Sequence, residues 1–193
     1  MGFTRDELMS YVDATVPDLI GDDADGSRLR LLFVGINPGL WTAATQTHFA
    51  HPGNRFYPAL FAAGIIEREI DRGVGMTTQD QAYFVGRGLG ISNIAHRATA
   101  KASSLTVDEL RAGGERLRQL VRTCQPLVVA IAGITGYRTA FRQPKAVMGE
   151  QPEGFEGAKL WVVPNPSGLN AHETTASLAA AYRAAAVAAG VVD

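Results

Sequence analysis

Cysteine is nearly missing from this chain of 193 residues, which has Cys124 alone. One thiol excludes an internal disulfide and a cysteine-based zinc site, and a lone cysteine within a helical stretch reads as a small core residue. Long apolar runs are missing too. Nothing approaches the roughly 18–20 residues needed to cross a bilayer, and Met1-Gly2-Phe3-Thr4-Arg5-Asp6-Glu7 has neither the basic start nor the apolar stretch of a secretory signal. A cytoplasmic protein without membrane contact is expected. Metal and cofactor signatures are equally thin. His48 and His51 are three apart, but no Asp or Glu stands near them and Pro52 disfavours presenting the pair on a helix, so turn and capping hydrogen bonds are their expected roles. Gly86-Arg87-Gly88-Leu89-Gly90 lacks the G-x-G-x-x-G spacing of a dinucleotide turn, and Pro166-Ser167-Gly168 is not a G-x-S-x-G elbow. No cofactor, no metal and no serine nucleophile are expected.

What the chain does have is enough apolar sequence, 46% of its residues, for one sizeable core. The formal net charge of −1 conceals an uneven distribution. Residues 1–25 carry seven acids (Asp6, Glu7, Asp13, Asp18, Asp22, Asp23, Asp25) against Arg5, a net −6, which leaves +5 on the remainder. Lysine is scarce there, only Lys101, Lys145 and Lys159, so arginine dominates the bases, and a phosphate-facing side stands beside the alternative of ordinary solvated surface. The expected organisation is an acidic N-terminal helix and linker over 1–27 followed by a single domain over 28–193.

Thr4-Arg5-Asp6-Glu7 has capping-box spacing ahead of Leu8, Tyr11, Val12, Val16 and Leu19, which predicts an amphipathic first helix. Apolar runs at 29–34, 127–132 and 160–163, with a shorter one at 90–94, predict strands. Helices are expected over 54–63, 79–85, 106–124, 134–141 and 175–190, the third opened by the capping box Thr106-Val107-Asp108-Glu109 and closed before Pro126. Such alternation predicts an α/β fold, a three-layer α/β/α sandwich around a central, mostly parallel sheet, with ligands at the carboxyl ends of its strands. Two polar, glycine-containing loops sit at such ends.

The first is the most informative part of the chain. The run Leu31-Leu32-Phe33-Val34 empties into Gly35-Ile36-Asn37-Pro38-Gly39, followed ten residues on by Phe49-Ala50-His51-Pro52-Gly53-Asn54-Arg55-Phe56. Gly35 and Gly39 remove bulk where a ligand approaches the backbone, Pro38 stiffens the turn, and Asn37 is its one side chain able to hydrogen-bond. Asparagine removes no proton at neutral pH. Its carboxamide holds a water through the oxygen and donates through the nitrogen, which suits a reaction whose leaving group departs readily and whose nucleophile needs only positioning. Phe49 offers a ring on which a flat heterocycle stacks, worth roughly 1–3 kcal/mol per base in nucleic-acid sites, or else serves as a core aromatic.

Gly35-Ile36-Asn37-Pro38-Gly39-Leu40, then Phe49-Ala50-His51-Pro52-Gly53-Asn54-Arg55-Phe56-Tyr57, and finally Asn165-Pro166-Ser167-Gly168-Leu169 resemble, in order and spacing, the mismatch-specific uracil/thymine DNA glycosylases. The resemblance covers roughly 29–182. It implies a cofactor-free enzyme, nucleoid-associated in a bacterium, that extrudes a base from double-stranded DNA containing G·U or G·T mismatches and hydrolyses its N-glycosidic bond; excision at one lesion needs only a monomer, which is the expected state. Carried over, Asn37 positions water and Phe49 stacks on the base, while Gly35, Ile36, Pro38, Gly39, Thr42 and Asn93 belong to the base pocket. Asn165, Pro166, Ser167, Gly168 and Leu169 bind DNA, with Gly168 and Leu169 as the wedge that fills the emptied position and contacts the widowed guanine. Three departures stand out. Asn170-Ala171-His172 replaces an arginine common after the wedge, which passes a DNA contact to His172. Asn93 stands where some relatives carry lysine, and Trp41-Thr42 where smaller polar residues occur. Uracil opposite guanine is the expected main substrate, ethenocytosine is second and thymine is poor. A lesion-sensing DNA-binding protein and a nucleoside hydrolase are the competing functions.

Overall fold

The computed structural model describes residues 2–21 and 28–193. In chain order the elements are α1 (Arg5–Met9), β1 (Leu31–Gly35), α2 (Leu40–Thr45), α3 (Phe56–Ala62), α4 (Thr78–Gly86), β2 (Leu89–Asn93), α5 (Val107–Cys124), β3 (Val128–Ala132), α6 (Ile134–Phe141), β4 (Gly149–Phe155), β5 (Ala158–Val163) and α7 (Thr175–Ala188). Strands β1, β2 and β3 are entirely buried and pair in parallel, as continuous apolar runs covered on both faces must. The sheet order is β2-β1-β3-β5-β4, with β4 alone antiparallel.

The pleat divides the core in two. Leu31 and Phe33 face Phe56, Leu60, Leu178 and Tyr182 of α3 and α7, whereas Leu32 and Val34 face Leu117 and Val121 of α5 and Tyr137 of α6. Helices therefore cover both faces, giving the expected three-layer α/β/α fold. Among the described residues no helix is long and apolar enough to cross a membrane.

Helix α5 begins as its sequence predicts: Thr106 Oγ1 accepts from the Glu109 amide at 3.1 Å, and Glu109 returns a carboxylate to the Thr106 amide at 2.8 Å. Three elements differ from expectation. Helix α1 has its capping box but stops at Met9 rather than running on through Leu19. Beyond it the chain crosses the domain in an extended form, with Thr15 bridging Arg97 and Leu19 bridging Ile91, while Val16 is buried against Leu40, Ala43 and Ala98. Most of the expected acidic linker lies outside the described residues. Strand β4 and helix α2 are additions. β4 is a polar edge strand containing Pro152 with a register irregularity between Gln151 and Phe155, features that pairing to β5 tolerates at an edge and that sequence reading takes for a loop.

Candidate functional site

The loops after β1 and β5 meet at the carboxyl ends of their strands, beside the point where β2 and β3 flank β1 on opposite sides. A cleft of about 630 Å³ opens there, its walls including Asn37, Phe49, Asn93, Thr99, Ser167 and Leu169. A smaller cavity of about 400 Å³ lies elsewhere, between α6 and β4, and none of the predicted residues lines it.

Asn37 is half-buried on the cleft. Its Nδ2 donates to Pro38 O at 2.8 Å and to Thr99 Oγ1 at 2.8 Å, and the Thr99 hydroxyl donates in turn to Lys101 O at 2.8 Å. A backbone carbonyl only accepts, so the nitrogen is the atom turned inward and Oδ1 is what Asn37 offers to the cleft. Pro38 O also receives the Thr99 amide, at 3.2 Å, which ties the turn to residue 99 by backbone and side chain together.

Phe49 sits at φ +56°, a left-handed backbone that an ordinary side chain adopts at a cost of order 1–2 kcal/mol. The conformation lays its ring on buried Phe56, with centroids 4.2 Å apart and planes 27° from parallel, and leaves the ring on the cleft wall. Gly35 is the floor beneath it. A Cβ there would lie 2.5 Å from Asn93 Oδ1 and 3.2 Å from Phe49 Cζ, so the room its missing side chain leaves is taken by the protein's own pocket groups. Ile36 turns its side chain away, onto Gly136 of α6, and brings backbone to the cleft.

Residues 165–173 form a tightly tied loop. Asn165 Oδ1 accepts from the Ser167 amide at 3.0 Å, and buried Tyr182 of α7 donates to Pro164 O at 3.0 Å. Arg55, at the start of α3, spans the loop from outside: its guanidinium donates to Ser167 O at 2.8 Å, to Asn170 O at 2.7 Å and to Glu173 O. Gly168 crosses directly over Gly53, where a Cβ would meet Gly53 O at 2.6 Å. Next to it Leu169 is 92% exposed, an apolar side chain held out from a rigid loop.

The cleft thus gathers Gly35, Ile36, Asn37, Pro38, Gly39, Thr42, Phe49, Asn93, Asn165, Ser167, Gly168 and Leu169. Two expected residues do not line it. Pro166 is buried under the loop with its carbonyl accepting the Arg55 amide at 3.0 Å, and His172 is exposed on the loop's far end. Thr99, Lys101, Leu8 and Arg55 belong to the site in ways the sequence does not announce. A partner 62 residues from Asn37 leaves no mark in local spacing, and Arg55, though inside a conspicuous motif, shows its role only once 165–173 is folded beside it.

His48 and His51 part company: His48 is buried with Nε2 on Pro17 O at 2.9 Å, and His51 Nδ1 accepts from the Gly53 amide at 3.0 Å. Among the described residues no group of three or more His, Cys, Asp or Glu is placed to hold a metal. No carboxylate lines the cleft among them either, and its ionisable side chains are His51 and Lys101. An amide oxygen next to an aromatic wall is an arrangement able to orient a neutral water, and it offers no general base.

The family model of the uracil DNA glycosylase superfamily matches residues 23–188. The chain belongs to this superfamily. Its members hydrolyse the bond between a base and deoxyribose in DNA, which makes the chain a DNA repair hydrolase of the base-excision type. The glycosylase match begins after the described N-terminal segment, 2–21, which nevertheless contributes Leu8 to the cleft.

Proposed function

We propose that the protein is a monofunctional, mismatch-directed uracil DNA glycosylase that acts as a monomer on double-stranded DNA, everting uracil opposite guanine and cleaving its N-glycosidic bond with water. The observation that carries this reading is the convergence on one cleft of Asn37, Phe49 and the 165–169 loop, from three separate stretches of sequence.

In the proposed mechanism Leu169 enters the duplex as the base leaves, and Gly168 lets its loop approach. The everted base stacks on Phe49, meets the backbone of Ile36 and reaches Asn93. Asn37 Oδ1 then holds a water against the anomeric carbon. As the bond breaks, positive charge grows on the sugar and negative charge on the base, which backbone donors of the 35–39 turn stabilise. Lys101 at the rim and His172 on the loop take phosphate contacts. Eversion costs a few kcal/mol and least where pairing is already poor, which supports preference for mismatches. Buried Thr42 and its neighbour Trp41 both line the cleft, bulk that disfavours an added thymine methyl, so thymine is a weak substrate.

The test is a set of duplexes differing in one base, with protein in excess, scored for abasic product. Release from U·G well above T·G and above paired bases is expected. Tight binding with every duplex left intact would replace the enzyme by a lesion sensor, and turnover of free deoxyuridine without salt dependence would replace it by a nucleoside hydrolase.

A further inference from the structure

Segment 2–21 precedes the matched region, yet it reaches the pocket's polar floor through two buried side chains. Pro17 O lies 2.9 Å from His48 Nε2, and His48 Nδ1 lies 3.0 Å from Asn93 Nδ2. His48 and Asn93 are each 3% exposed. The Pro17 carbonyl only accepts, so Nε2 carries the hydrogen. A hydrogen on Nδ1 as well would make a buried imidazolium, so Nδ1 is the acceptor and Asn93 turns its nitrogen toward it. Asn93 Oδ1 is left over the Gly35 floor, beside Phe49.

We propose that the N-terminal segment sets the polarity of the base pocket: the Pro17 carbonyl, acting through the tautomer of His48, holds Asn93 with its oxygen inward, so that the pocket selects bases bearing a ring N–H. The inference rests on the excision reading of this cleft and names which bases it takes. Uracil carries an imide N–H at ring position 3. Ethenocytosine closes that nitrogen into a second ring, so a C–H bridge replaces the N–H and the Asn93 oxygen is left without a donor. His48 is a positioning residue here, acting on the base through Asn93.

The groups around His48 keep it neutral. Burial pushes its imidazole below the ordinary value, against the opposing pulls of the Pro17 carbonyl and of Asp18 on the same segment, while His96 after β2 adds to the depression. Arg116 of α5 lies 3.8 Å from Asp18 and Tyr57 of α3 donates to the His48 carbonyl at 2.9 Å. Acid that charges the ring puts a hydrogen on Nδ1, and Asn93 must then turn over.

Two measurements on the full chain test this. Nitrogen NMR of histidine-labelled protein should show His48 as the neutral Nε2–H form at pH 7, and an Nδ1–H or imidazolium signal there overturns the proposal whether or not the protein cuts DNA. Single-turnover excision from U·G and ethenocytosine·G duplexes should favour uracil by at least about 100-fold, since a site built for an N–H rejects an analogue lacking it. His48→Gln preserves a donor for Pro17 and an acceptor for Asn93 but cannot charge, so it should keep the ratio and abolish its decline in acid. His48→Phe should lower the ratio at least about tenfold, and an unchanged ratio overturns the proposal. If His48→Phe does not fold, the acid dependence of wild type against His48→Gln decides alone: identical profiles refute the relay. Failure of wild type to release either base would refute the excision reading instead, leaving the tautomer measurement to judge the relay.

Discussion

At the residue scale, the chemistry of the cleft depends on which atom of Asn37 faces it. On charge alone a carboxylate at this position would be an improvement, since it stabilises a cationic sugar better than an amide does. The geometry argues the other way: an aspartate would set an oxygen 2.8 Å from Pro38 O where Nδ2 now donates. Asn37→Asp should therefore be slower than wild type in single-turnover assays, and a faster variant would show that the inward contact is dispensable. Thr99→Val removes the acceptor for Nδ2 and should lower kcat/KM by about tenfold with little change in DNA affinity, whereas Thr99→Ser, which keeps the hydroxyl, should stay near wild type; the difference corresponds to about one hydrogen bond of 1–1.5 kcal/mol.

At the scale of elements, the wedge is a loop made rigid by a neighbouring helix. Arg55→Lys replaces a planar group serving three carbonyls with one that cannot span them, so melting temperature and excision should both fall. Leu169→Ala, on a 92% exposed side chain, should leave the melting temperature within a degree or so and reduce excision roughly tenfold or more, because an apolar side chain of this size gains about 1.5–3 kcal/mol on burial in the duplex. Thermal melts alongside excision rates separate the two. These elements were legible to different degrees. The strands and the long helices follow from apolar runs and, for α5, the cap at Thr106, because their own residues carry the signal. β4 and the early end of α1 depend on tertiary pairing: β5 lends β4 its partner, and Leu19 leaves the helical path to bridge Ile91. Likewise the turn at 35–39 announces itself in sequence, whereas Thr99 and Pro17 become pocket partners only through folding.

At the scale of the whole molecule, charge that looked free along the chain is largely engaged. Of the acids in the N-terminal segment, Glu7 caps α1, Asp13 pairs with Arg97 at 2.7 Å, and Asp18 lies 3.3 Å from His96 and 3.8 Å from Arg116. This segment is therefore packing structure at those positions; Asp22, Asp23 and Asp25 fall outside the described residues. Buried neutral His48 has a lowered folded-state pKa, so as pH falls below about 6.5 the unfolded chain takes up a proton the folded one resists, and stability declines. Burial alone would raise the Asp18 carboxyl, but His96, Ser92 and Arg116 together hold it below the usual range, so its contribution is present above about 3.8 and lost in stronger acid. Urea midpoints from pH 8 to 5 should fall in wild type and stay flatter in His48→Gln; parallel curves would contradict a buried neutral imidazole.

The central claim is that an amide oxygen aiming water suffices for base release in this cleft. Single-turnover release of uracil from a U·G duplex by wild type and Asn37→Ala, with duplex affinity measured on both, tests it most directly. Loss of the Asn37 carboxamide should cost roughly 10²–10³ in rate with affinity nearly unchanged. A variant that releases uracil as fast as wild type would contradict it.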